Sequence, residues 1–256
     1  MNLIMKQSIL SSAAAGTLVG ATVLAAVLAL SPLSALADNT ACSSVGDKTT
    51  VQGVIARGDC RITQRDTSLS NGLTRIAQMN KVATSTKDEL TQNLNNAVSA
   101  LATIKTKLDA DTDLTVAKTD YRSIFNSVRV YLLLLPQTWI VAASDRAETI
   151  VTKLQTLHDA LQAKVTALPD GSVKTQAQAL LDSMASATQD AVQNSDAAAQ
   201  IVLPLTPDNG DKTVRDSNTA TVQSARGNIQ TAKTDLTNAV GDAKQVRDLL
   251  KTTTNS

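Results

Sequence analysis

The sequence predicts an all-α fold, an elongated up-and-down helical bundle or antiparallel coiled coil of about four long helices. Three observations carry this. Apolar residues recur at alternating steps of three and four over long stretches, which gathers them on one face of a helix. Nowhere do apolar and polar residues alternate with the period of two that marks a half-buried strand. Alanine fills much of the seam, so helices approach closely while each residue buries little area, and stability has to come from length.

An export signal precedes the bundle. Lys6 supplies a short positive start, the segment from about Ala13 to Leu30 is small or apolar, and Ala35-x-Ala37 has the form that signal peptidase cuts. Residues 1–37 therefore read as a signal peptide, Asp38 as the start of the mature chain, and the destination as secreted or cell-envelope. Two alternatives compete with cleavage. Lipidation of Cys42 is disfavoured, because Asn39 stands where a leucine-like residue is wanted. An uncleaved signal would anchor the chain, since an apolar run of about 18 residues approaches the length of a membrane span.

Lys6 is the only charged residue before Asp38, so beyond it acidic and basic side chains balance. That balance, without a run of lysine or arginine, argues against nucleic acid as a partner. Cys42 and Cys60 are the chain's two cysteines, and in an exported protein they are expected to form a disulfide. Closing so short a loop is worth about 3 kcal/mol in the chain-entropy model.

Residues 38–58, with Gly46, Gly53 and Gly58 among serines and threonines, read as a loop tied down by that disulfide, and 59–256 as one helical bundle domain. The first helical stretch, about 59–110, has its seam at Leu69, Leu73, Ile76, Asn80, Ala83, Lys87, Leu90, Leu94, Ala97, Leu101, Ile104 and Leu108. Thr86 to Glu89 has the form of a capping box, which predicts a break near Ser85. The second, about 113–168, keeps the stepping through Tyr121, Ile124, Val128, Tyr131, Leu135 and Trp139 to Ile150, Leu154, Leu157, Leu161 and Leu168. Pro136 lies inside it, removes a donor and clashes with the carbonyl of Leu132, so a kink or short break is expected between Leu135 and Thr138. After the turn Leu168-Pro169-Asp170-Gly171-Ser172, a third helix spans about 172–200. The stretch IVLPLTPDNGDKT (201–213) reads as a loop, and a last helix over about 214–251 shows an unbroken seam from Val222 to Leu250.

Tyr121, Phe125, Tyr131 and Trp139 are all the aromatic residues of the chain, and they surround four consecutive leucines. Leu132, Leu133 and Leu134 do not fit the face shared by Tyr121, Phe125, Val128, Tyr131 and Leu135, and a helix apolar all round needs cover on every side. The cover is the bundle's own thickest layer, a protein partner or second copy, or lipid. Tyr131, Leu132, Leu133, Leu134 and Trp139 are thus the candidate interface residues, for a protein partner or self-association, with a membrane as the alternative partner. The apolar part of 130–143 is too short to span a bilayer.

Other motifs weigh less. Asp109, Asp111, Asp113 and Asp120 hold four positions of a calcium loop, but Leu114 replaces the glycine that the loop's sharp turn needs, and helix capping explains the same carboxylates. Arg57-Gly58-Asp59 has the form of an adhesion tripeptide, against which stands the ordinary reading that Gly58 turns the chain and Asp59 caps a helix. His158 is the only histidine, lies in an amphipathic stretch, and has no partner in any nucleophile, phosphate-loop or GxSxG motif. The residues therefore predict no catalytic, cofactor or metal site and a non-enzymatic protein.

From Ala56 to Ile150 the chain resembles a group of uncharacterised secreted helical proteins of actinobacteria and candidate-phylum bacteria. The motifs that carry the resemblance are ARGDCRI (56–62), DADTDLTVAKTDYRSIF (109–125), VRVYLLLLP (128–136) and VAASDRAETI (141–150), with the heptads ARGNIQT, AKTDLTN and AVGDAKQ (225–245). It implies an exported all-helical fold and no particular chemistry. In such proteins the tripeptide 57–59 falls where the first long helix begins.

Overall fold

The computed structural model describes residues 42–254. Among these the regular structure is all helical, with no strand. The elements are α1 (Val51–Ala77), α2 (Thr84–Ala110), α3 (Leu114–Asn126), a π turn (Val130–Leu134), α4 (Leu135–Thr166), α5 (Ser172–Val202) and α6 (Lys212–Thr254). The predicted signal peptide and its cleavage site lie outside the described residues.

Two compact units divide the chain. One combines Ala143–Ala197 with the described residues from Gly227 onward, the other the described residues up to Ala142 with Ala198–Arg226. A single domain over 59–256 was the expectation. The helix α4 runs unbroken across residue 142, so the local pattern holds no sign of where long-range contacts change partners.

In the first unit, α4, α5 and α6 close around a core that includes Ile150, Leu154, Val165, Leu181, Met184, Leu236 and Val246. The predicted seam of the last helix is buried from Val222 through Ala225, Ile229, Ala232, Leu236, Ala239 and Ala243 to Val246. In the second unit α1 packs on α2 and α3, and Leu69, Ile76, Leu90, Leu94, Leu101 and Leu108 are fully buried. Burial of one apolar stripe per helix against its neighbours is the main stabilising term in both units.

The N-terminal loop is shorter than expected, because α1 begins at Val51 rather than near 59. Thr50 caps it, its hydroxyl accepting from the Gly53 amide at 3.1 Å. Gly53 and Gly58 are helical positions of close approach rather than turn residues. A Cβ on Gly53 would lie 1.9 Å from the Asp47 carbonyl oxygen, and one on Gly58 would lie 2.1 Å from a Leu108 methyl. Gly227 and Gly241 sit inside α6 with nothing within 4 Å of an added Cβ. Opposite signs follow. Gly53→Ala should destabilise by about 1–3 kcal/mol through overpacking against backbone, whereas Gly227→Ala and Gly241→Ala should each stabilise by up to about 1 kcal/mol through helix propensity. Urea unfolding with an unchanged slope measures all three.

The first helical stretch does break, but at 78–83, ahead of the expected site. Ala83 caps α2 without any side-chain hydrogen bond, so the Thr86–Glu89 capping box is not used. What fixes the reversal is burial of Met79, 2% exposed, together with the Lys87 ammonium donating to the Met79 carbonyl at 3.0 Å.

Candidate interaction site at the π turn and the Trp139 groove

The second helical stretch is interrupted upstream of its proline. Asp113 starts α3 by accepting from the amides of Thr115 and Val116, which gives one of the calcium-loop carboxylates the capping role. After Asn126 the chain reverses its local twist at Arg129, whose backbone is left-handed (φ 48°, ψ 34°). The π turn follows, with the Leu135 amide reaching back five residues to the Val130 carbonyl. Pro136 then falls in the first turn of α4, where a proline is tolerated, and α4 runs on continuously. The expected kink between Leu135 and Thr138 is therefore displaced to 127–134, where the wide turn absorbs the register change.

The widened turn also settles the leucines. Leu133, Leu134 and Leu135 are 2%, 5% and 1% exposed, and Gln137 and Thr138 are buried beside them. Leu133 and Leu134 are thus core residues of this unit, and their expected place on an exposed interface is corrected. Leu132 alone projects, 51% exposed. Tyr131 is half-buried and pinned: its hydroxyl lies 3.0 Å from the Ser68 hydroxyl and donates to the Gln64 carbonyl at 3.2 Å. Between Tyr131 and Phe125 the Arg65 guanidinium contacts both ring faces, 5.1 and 4.4 Å from their centroids. Burial holds the Arg65 pKa below its usual value, a tendency that Tyr131 opposes.

Two side chains, Gln137 and Arg129, fasten the segment after α5 to this site, and a third, Asn218, ties it to α6. The Gln137 amide donates to the carbonyls of Val202 and Leu203 at 2.8 and 3.0 Å, satisfying the end of α5. Asn218 donates to the Thr206 carbonyl at 2.8 Å. Arg129 forms a buried ion pair with Asp208, Nη2 to Oδ1 at 3.0 Å and Nε to Oδ2 at 2.8 Å, while its Nη1 donates to the Phe125 carbonyl. Burial alone would raise the Asp208 pKa, but the Arg129 guanidinium and the Gly210 amide outweigh it and hold the carboxyl below its usual value. None of these polar anchors was visible in the sequence, where 201–213 reads as a free loop.

Trp139, the remaining candidate, is half-buried and lies under Arg75, whose guanidinium carbon is 4.7 Å from the ring centroid. Asn71, Thr74, Arg75, Gln78 and Trp139 line an open groove of about 370 Å³. A separate groove in the three-helix unit, about 530 Å³, is lined by Leu154, His158, Thr188 and Val192 among others. His158 there lies 3.3 Å from the carboxylate of its neighbour Asp159.

The adhesion tripeptide is consumed by the fold. Arg57 is 8% exposed and donates to the carbonyls of Ser43, Val45 and Gly46, while Asp59 pairs with Lys105, so Asp59 caps nothing and Gly58 makes no turn. Cys42 and Cys60 form the expected disulfide, with Cα atoms 5.7 Å apart, on the same loop that Arg57 holds. Asp111 has its pKa raised, first by burial and then by Asp120 and Asp113. No group of three metal-ligating side chains that could hold an ion occurs among the described residues. No protein-family model, curated protein or solved structure matches the chain.

Proposed function

We propose that the protein is an exported, non-enzymatic helical module of the cell envelope or extracellular space that binds a protein partner or a second copy of itself. The contact centres on Leu132 and the Trp139 edge. The observation that carries this is Leu132, half exposed on a π turn whose flanking residues are held by the Tyr131 hydroxyl and by the burial of Leu133 to Leu135. A projecting apolar side chain on so fixed a frame loses little entropy on contact. Export is supported by the Cys42–Cys60 disulfide, which suits an oxidising compartment.

Light scattering coupled to size exclusion tests the contact. Wild type is expected to self-associate in a concentration-dependent way, and Leu132→Asp to run as a folded monomer with the same circular dichroism. Equal masses for the two proteins would remove Leu132 from the contact. The Leu133 and Leu134 variants do not serve, because a charge there enters the core.

The alternative, a membrane-active protein using residues 130–143, draws on the length and apolarity of Leu114–Thr166, of whose most apolar window 67% is buried. Burial favours the protein-contact reading, because lipid insertion would first have to unpack those side chains.

A further inference from the structure

Asn71, Thr74 and Arg75 on the last turns of α1 and Gln78, the residue that caps its C-terminus, lie along one side, forming a row about 10 Å long. With Trp139 they make a groove that contains one positive charge and no acidic side chain. Stacking on the indole fixes the plane of the Arg75 guanidinium yet uses none of its N–H donors, which stay arranged as a fork. No hydrogen bond or ion pair to that guanidinium occurs among the described residues. The indole Nε1 is also without a hydrogen-bond partner and sealed from solvent, a costly arrangement for a donor. Asn71, Thr74 and Gln78 are exposed and add amide and hydroxyl groups along the rim. A stacked guanidinium with its N–H fork unused, rimmed by amide and hydroxyl groups, is a donor-rich site.

We infer that this groove binds a small carboxylate-bearing ligand. The carboxylate takes the Arg75 fork in a bidentate pair, and further oxygens of the ligand meet the rim amides of Asn71 and Gln78. The inference rests on the interaction reading only in placing Trp139 on the contact surface; the light-scattering result with Leu132→Asp is independent of it, so either can fail alone. Arg75 also lies in the last turn of α1, where a cation is favoured by the helix dipole. A purely structural arginine would leave the groove indifferent to ligand.

Trp139 is the only tryptophan in the chain, so intrinsic fluorescence reports this groove alone. The purified full chain is titrated at constant ionic strength with a uronic-acid disaccharide, its methyl ester, a trialanine peptide with a free C-terminus, and inorganic phosphate. The expected result is a saturable emission change with a carboxylate probe and none with the ester. The disaccharide responding alone makes the source an acidic sugar, and the peptide alone a chain terminus. Arg75→Gln should weaken binding at least about tenfold with unchanged circular dichroism, and Arg75→Lys should recover part of it. Absence of any saturable change, equal response to the ester, phosphate binding as tightly as the carboxylates, or full affinity in Arg75→Gln would each overturn the inference.

Discussion

Asp208→Ala is expected to destabilise the protein by about 3–5 kcal/mol, because it strands the Arg129 guanidinium in the interior without its counter-charge. Both partners are nearly sealed, at 8% and 3% side-chain exposure. The loss has a second component. Arg129 holds a left-handed backbone that a non-glycine residue adopts only under constraint, and the ion pair is one of the contacts imposing it. Replacing both residues, Arg129→Met with Asp208→Leu, should recover most of the loss, since a buried ion pair gains little net energy over apolar side chains of similar size. The pH dependence has a definite sign. A folded-state pKa held below the unfolded value means that the Asp208 contribution is complete above about pH 4 and is lost as pH falls through the lower folded value. Urea unfolding at several pH values measures this, with Asp208→Asn expected to flatten the acid limb. A loss below about 1 kcal/mol for Asp208→Ala would show that water reaches Arg129.

Reduction of the Cys42–Cys60 disulfide should cost about 3 kcal/mol, from the chain entropy regained by a loop of sequence separation 18. For a chain of this size that corresponds to a melting point lower by roughly 6–12 °C. The loop would not be released entirely, because the Arg57 guanidinium still gathers three of its carbonyls. Adding Arg57→Ala to the reduced protein should therefore give a further loss and make 42–50 accessible to protease. Calorimetry with and without reductant measures the first effect, and a Cys42→Ser, Cys60→Ser protein should melt at the reduced value under both conditions. Coincident melts of the oxidised and reduced wild type would refute it.

The helix faces were legible because their signal is local. Leu90, Leu94, Ala97, Leu101, Ile104 and Leu108 are buried as the stepping required, and so is the seam from Val222 to Val246. Helix ends were read less well, and for a physical reason. Gly53 and Gly58 suggest turns in a sequence, yet each serves a close approach to a backbone or methyl group supplied from elsewhere. The Thr86–Glu89 capping pattern was present but idle, because burial of Met79 fixes the reversal ahead of it. Leu132 to Leu134 could not be assigned to a face by periodicity, since a π turn changes the period at that point.

The sequence by itself determined an all-helical chain, the buried stripe of each long helix and the pairing of its two cysteines, because helical period and cysteine count need no knowledge of distant residues. Tertiary structure alone decided which polar groups went inside. Arg57, Arg65, Arg129 and Gln137 carry no pattern that marks them as buried, and each is tolerated there only by partners that folding brings to it: loop carbonyls, two aromatic faces, Asp208, and the end of α5. Burial of a polar group is favourable only when its partners arrive with it, and that condition is written in contacts between positions far apart in the chain.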